Sequence, residues 1–146
     1  MKLFTIGFTK TTAEHFFQRL KDAGVKTLID TRLNRDGQLA GFAKASDLAY
    51  FLDRLASINY RPEPSLAPTA DALRDYREKR ISWSRYAELY SELLAQRMVE
   101  QLMRPEELDR SCLLCSEDKP THCHRSLAAE YLKRYEFSDQ LEIVHL

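Results

Sequence analysis

A chain of 146 residues is the size of one ordinary domain and can bury a core without help from disulfides or metals. Its 44% hydrophobic and 30% charged residues exclude a disordered tail, and the balance of 22 basic against 22 acidic residues removes the simplest argument for non-specific nucleic-acid or anionic-membrane binding. No apolar run approaches the ~20 residues of a membrane span, the start "MKLFTIGFTK" lacks the apolar stretch of a signal peptide, and three cysteines suit a reducing compartment, so a cytoplasmic protein without membrane contact is expected.

The chain carries no repeat, low-complexity tract or flexible linker, and residues 1–146 read as a single domain. "KLFTI" (2–6) is a β-branched and aromatic run closed by Gly7. The helix that follows is capped at Thr11, with Glu14 three residues on, and stops at Gly24; its apolar positions 13, 16, 17, 20 and 23 recur at helical spacing. "KTLID" (26–30) is a second strand of buried type, so residues 2–30 form a right-handed βαβ unit with a parallel pair. Residues 31–45 show no periodicity, and a loop of that length inside a compact domain is usually functional or disordered.

Ser46 is the expected cap of a helix through Leu48, Phe51, Leu52 and Leu55. "INYRP" (58–62) is a short third strand, ended by Pro62, Pro64 and Pro68. Residues 69–79 and 82–104 read as two helices, the second capped by Ser82. "SCLLCS" (111–116) is the next strand, "SLAAEYLKRY" a helix, and "LEIVH" (141–145) a last strand. The fold class expected is α/β: one mostly parallel sheet of four to five strands, flanked by helices, with a helical insertion in the middle of the chain.

Chemistry-bearing residues concentrate in "LLCSEDKPTHCHRSLAAEYL" (113–132). Cys112 and Cys115 have C-x-x-C spacing, and Cys123, His122 and His124 could complete a zinc site. Residues three apart on a strand point to opposite faces, however, so the two thiolates cannot converge and no metal is expected. Cys112 is then a small core residue. Cys115 ends its strand, where open α/β sheets bind ligands, and a helix start near residues 121–123 favours an anion or thiolate. With Thr121 as cap, the buried stripe is Leu127, Ala128, Tyr131, Leu132 and Tyr135. His124 then lies near the stripe's centre, Arg125 on its edge and Cys123 on the polar side. The plainer alternative is a core histidine and a surface arginine.

Asp30 and Arg32 share a face at the end of the second strand, and Gly7-Phe8-Thr9 forms a third strand-end turn. There is no G-x-G-x-x-G, Walker loop, G-x-S-x-G or H-E-x-x-H, and no cofactor is expected. The stretch "YREKRISWSRYAELY" (76–90) could stack on nucleic acid, but its acids and helical spacing favour a packed helix pair.

"TIGF-T" at 5–9, "DTR" at 30–32 followed by "QLAGF" at 38–42, "LAPT" at 66–69 and "LLCSE…CHR" at 113–125 together resemble the domain-of-unknown-function family numbered 488, over nearly the whole chain. The chain has Phe8 and Thr31 where that pattern often has a histidine or tyrosine and a valine. The resemblance implies a compact bacterial or archaeal α/β domain with Asp30, Arg32, Cys115, Glu117, Cys123, His124 and Arg125 as pattern residues; it implies no reaction. The residues themselves suggest an enzyme acting on a small anionic, phosphate- or nucleotide-like molecule. Cys115 would be its nucleophile or substrate-contacting thiol, His124 the proton carrier and Glu117 its partner or a base. Arg125 and Arg32 would clamp the anion, with Asp30, Gly7, Thr9 and Cys123 around it. Arg32 or Arg35 would tie the 31–45 loop to Glu117 or Asp118. A redox pair, Cys115 with Cys123, and a non-catalytic nucleotide- or nucleic-acid-binding module are the alternatives.

Overall fold

The computed structural model describes residues 1–36, 41–137 and 140–146, and the side chains of 136 and 137 are outside the description. Five strands form one sheet in the order β3-β2-β4-β1-β5. They are β1 (Lys2–Gly7), β2 (Thr27–Asp30), β3 (Asn59–Pro62), β4 (Ser111–Cys115) and β5 (Glu142–His145). Every neighbouring pair is parallel. The strands fall where the hydrophobic runs place them, each within a residue or so of its expected bounds.

Parallel strands need crossovers, and the helices supply them. Helix α1 (Ala13–Ala23) joins β1 to β2, and α2 (Ala45–Phe51), continued by a π-helical turn Leu52–Ala56, joins β2 to β3. The return from β3 to β4 runs through α3 (Ala70–Arg77), α4 (Trp83–Gln96) and the short α5 (Pro105–Leu108); α6 (His124–Leu132) joins β4 to β5. Strand alternation splits the core into two layers. Phe4, Ile6, Leu28, Cys112 and Leu114 pack with Phe16, Phe17, Leu20, Leu48 and Leu52 beneath α1 and α2. Leu3, Ile29 and Leu113 pack with Tyr90, Leu94, Ala128, Ala129 and Leu132 beneath α4 and α6.

That division locates a binding crevice. β1 and β4 are adjacent, yet β1 continues into a helix on one face and β4 into a helix on the other. Neighbouring strands whose connections leave in opposite directions open a cleft beyond their carboxyl ends. Gly7, Asp30 and Cys115 all lie at that edge, since Gly7 pairs with Cys115 and Asp30 with Leu114.

Several helix ends differ from expectation. The cap of α1 is Thr12, whose side chain accepts from the His15 amide, rather than Thr11; Gly24 does end it, at φ +72°. α2 begins at Ala45 behind Lys44, with no side-chain cap, so Ser46 lies inside the helix. Ser82 caps α4 as expected, but the 82–104 helix stops at Gln96, and Met98 turns the chain with φ +50°. α6 starts at His124 with Cys123 in the cap position, so Thr121 is not its cap. His122, at φ +57°, closes the turn before it. Residues 38–40 of the "QLAGF" stretch lie outside the described residues. "LAPT" is architectural: Thr69 caps α3, and the Tyr90 hydroxyl donates to the Leu66 carbonyl at 2.6 Å. Among the described residues no helix is long and apolar enough to cross a membrane.

Candidate functional site

The loop after β4 folds back over the end of β1. Ser116 O accepts from the Thr9 amide at 3.2 Å, and the Glu117 carbonyl passes directly over Gly7. A Cβ at Gly7 would fall on that carbonyl and come within 2.8 Å of Arg125 Nη1. Glycine is needed here for close approach of another backbone segment, not for a positive φ.

Arg125 is fully buried beneath this loop. Its Nη1 donates to the Glu117 carbonyl and to Cys115 Sγ at 3.2 Å, its Nη2 to the Asp118 carbonyl at 3.4 Å, and its Nε to Thr5 Oγ1 at 3.4 Å. Burial lowers its pKa to about 10, so it stays charged at neutral pH. Hydropathy ranks arginine as a surface residue, which put it on the edge of the expected stripe. Once carbonyls satisfy its donors it can occupy the centre instead, and the buried face of α6 becomes Arg125, Ala128, Ala129, Tyr131 and Leu132. Tyr135, expected in that stripe, is exposed.

Cys115 and Cys123 are joined as a disulfide, and Cys123 is buried rather than on a polar side. Cys112 points to the opposite core layer as a free thiol, so it and Cys115 do diverge. One ring nitrogen of His124 and the two bonded sulfurs all lie within 4.8 Å of one another. His124 is held from the end of β2. Its Nε2 lies 2.9 Å from the Thr31 carbonyl and 3.1 Å from Thr31 Oγ1. Thr31 Oγ1 itself donates to the Leu114 carbonyl at 2.7 Å, so both Thr31 oxygens act as acceptors and Nε2 carries the proton. Nδ1 keeps its lone pair. Burial pushes the imidazole down to about pKa 4, against the opposing pull of the Thr31 carbonyl, and holds it neutral.

Asp30 and Arg32 form a buried two-pronged pair, Nε to Oδ1 at 2.9 Å and Nη2 to Oδ2 at 2.8 Å. The Tyr60 hydroxyl adds a third bond to Asp30 at 2.6 Å, and the Arg32 guanidinium lies over the Phe8 ring, 5.1 Å from its centre. Position 8 thus contributes an aromatic platform. The outer side of Arg32 lines a cavity of about 380 Å³, together with Phe8, Tyr76, Arg77, Tyr86, Glu117, His122 and the Cys115, Cys123 and His124 group.

The cavity gathers Arg32, Cys115, Glu117, Cys123 and His124 of the expected residues. Asp30 holds Arg32 from behind, and Gly7, Thr9 and Arg125 shape the loop beneath. Arg125 therefore cannot clamp an anion from the rim. The Glu117 side chain is exposed, and His124 bonds Thr31 instead. Asp118 pairs with Lys10 at 3.9 Å, and the 31–36 segment meets α6 through Thr31 rather than through an arginine. The wall from α3 and α4 was not foreseen. Tyr76 and Arg77 each stand one helical turn from Leu73, and Tyr86 one turn from Tyr90; that spacing in "LRDYREKRISWSRYAELY" (73–90) is the signal available. Trp83 lies against His122, the rings tilted by 33° with centres 5.0 Å apart, and Tyr76 stacks on Tyr86 at 5.1 Å, so the helix pair packs as expected while Tyr76 and Tyr86 line the crevice.

The model of a family described as "Domain of unknown function DUF488" matches residues 12–132, and the chain belongs to that family. No curated protein and no solved structure matches the chain.

Proposed function

We propose that this member of the DUF488 family is an enzyme acting on a small anionic, nucleotide-like molecule held in the crevice beyond β1, β2 and β4. The observation that carries this reading is that Arg32 and Arg77 line the same cavity as the Cys115, Cys123 and His124 group. Arg77 and Arg32, whose charge Asp30 balances from behind, supply planar guanidinium donors suited to phosphate or carboxylate oxygens. Tyr76 and Tyr86 line the cavity side by side, their rings stacked with centres 5.1 Å apart, and offer an aromatic wall to a ligand with a ring.

The chemistry falls to the floor of the cavity, once the Cys115–Cys123 bond is reduced. Arg125 Nη1 then stabilises negative charge on Cys115. The neutral His124, with Nδ1 unprotonated, can accept a proton nearby.

A binding module without catalysis is the second reading, favoured by the aromatic cluster Tyr76, Trp83, Tyr86 and His122. The test is calorimetric titration of the reduced protein with inorganic phosphate and adenosine monophosphate, followed by mass spectrometry of nucleotides incubated with it. Binding with a product that disappears in Cys115→Ser supports the enzyme. Binding without product supports the module, and no binding of either ligand sinks both.

A further inference from the structure

We propose that the reduced forms of Cys115 and Cys123, together with Nδ1 of His124, form a three-ligand site for a thiophilic divalent cation, with zinc as the best match. The inference takes the same cavity as the proposed function but gives its floor another role: with the cation bound, Cys115 and Nδ1 of His124 are ligands rather than free thiolate and proton acceptor.

Four observations converge. The two sulfurs and one ring nitrogen of His124 already lie within 4.8 Å of one another, on two rigid elements: the end of β4 and the first turn of α6. The Cα atoms of the two cysteines are 7.6 Å apart, wider than the ~4.4–6.8 Å usual for directly bonded cysteines; an ion between the sulfurs accommodates that spacing. The imidazole is arranged as metal-bound histidines are. One ring nitrogen is fixed as a donor to a backbone carbonyl, here Nε2 to Thr31, which leaves the other as a lone-pair donor. Finally, Arg125 Nη1 lies 3.2 Å from Cys115 Sγ and 3.8 Å from Cys123 Sγ, placed to hydrogen-bond metal-bound thiolates from outside the ligand shell.

The set of two thiolates and one imidazole suits zinc, and three protein ligands leave a fourth position open. All three residues line the same cavity as Arg32 and Arg77. This set differs from the C-x-x-C pairing suggested by sequence spacing, because Cys112 belongs to the other core layer. Loading the site requires reduction by a dithiol. Two electrons and two protons pass from the dithiol to the Cys115–Cys123 bond, giving two thiols and an oxidised dithiol. The thiols release their two protons as the cation binds, so the dication and two thiolates are together neutral.

The experiment is titration of the full-length, dithiol-reduced protein with cobalt(II) under anaerobic conditions, followed by competition with zinc. The expected result is one equivalent of cobalt with a thiolate-to-cobalt charge-transfer band and the visible bands of a four-coordinate ion, all erased by zinc. Cys115→Ser and Cys123→Ser should each weaken the charge-transfer band and lower affinity. His124→Ala should keep the band but lower affinity by at least about tenfold, and Cys112→Ser should change nothing. Circular dichroism of each variant before titration separates lost binding from lost folding. A reduced, folded wild-type protein without the charge-transfer band overturns the proposal, as does a band left at full intensity by Cys123→Ser or diminished by Cys112→Ser. Because cobalt is titrated without any anion, failure here leaves phosphate or nucleotide binding free to succeed, and the reverse.

Discussion

The Glu117 carbonyl and the Arg125 guanidinium meet over Gly7, where a Cβ would stand. The three residues therefore act as one device: glycine makes room, the backbone of the glutamate fills it, and the arginine holds the loop down. Gly7→Ala should destabilise the protein by ~1–3 kcal/mol, the usual cost of overpacking a tight site. Equilibrium urea unfolding measures it; an unchanged midpoint would mean that the loop shifts freely.

Arg125→Met keeps side-chain length but leaves the Glu117 and Asp118 carbonyls without their donor. A loss of ~2–4 kcal/mol is expected, from the desolvation cost of unpaired buried acceptors. The variant should also slow alkylation of reduced Cys115 near neutral pH, because the thiolate loses its neighbouring cation. An equal alkylation rate in the two proteins would remove Arg125 from any role at the sulfur.

Asp30 accepts from Arg32 and Tyr60 in a buried setting. Asp30→Asn leaves the Arg32 charge buried without its counter-ion and should cost ~3–5 kcal/mol, whereas Tyr60→Phe should cost about 1 kcal/mol. Thermal melting of both variants ranks them; the reverse order would show that the pair is not the main support of the β2 end.

Arg77 is exposed on α3 and lines the cavity. Arg77→Ala should shift stability by no more than ~0.5 kcal/mol, as for most surface changes. It should weaken phosphate or nucleotide binding by roughly tenfold or more, the worth of one charge-assisted hydrogen bond. Calorimetry on wild type and variant decides it, and equal affinities would remove Arg77 from the anion site.

His124 has a pKa near 4, pushed below its usual 6.5 by burial. Between those values the unfolded chain binds a proton that the folded chain refuses. The stability contributed by the neutral imidazole is thus complete above about pH 6.5, is lost as pH falls toward 4, and falls no further below that. Urea unfolding in chelator at pH 7.5 and pH 4.5 should show this loss, and His124→Asn should diminish it. Equal pH dependence in the two proteins would contradict a buried neutral histidine.

The sequence by itself determined the strand runs, the parallel α/β class and the carboxyl edge as the place for chemistry. Each of these follows from local patterns: apolar runs of strand length, helical spacing between them, and glycine or proline at their ends. It also carried Asp30 with Arg32, because residues two apart near a strand end keep to one face. What Arg125 does was not legible. Its burial rests on carbonyls of Glu117 and Asp118 that only the folded loop supplies, and hydropathy carries no record of such partners. The role of Thr31 was hidden for the same reason, since it reaches His124 across 93 positions of chain. Strand alternation already separated Cys112 from Cys115 and left Cys115 with Cys123 as an alternative; bringing Arg77 and Tyr86 to the crevice depended on which strand lies beside which and which face each helix covers. Those are properties of the sheet order, decided by long-range packing that no local spacing encodes.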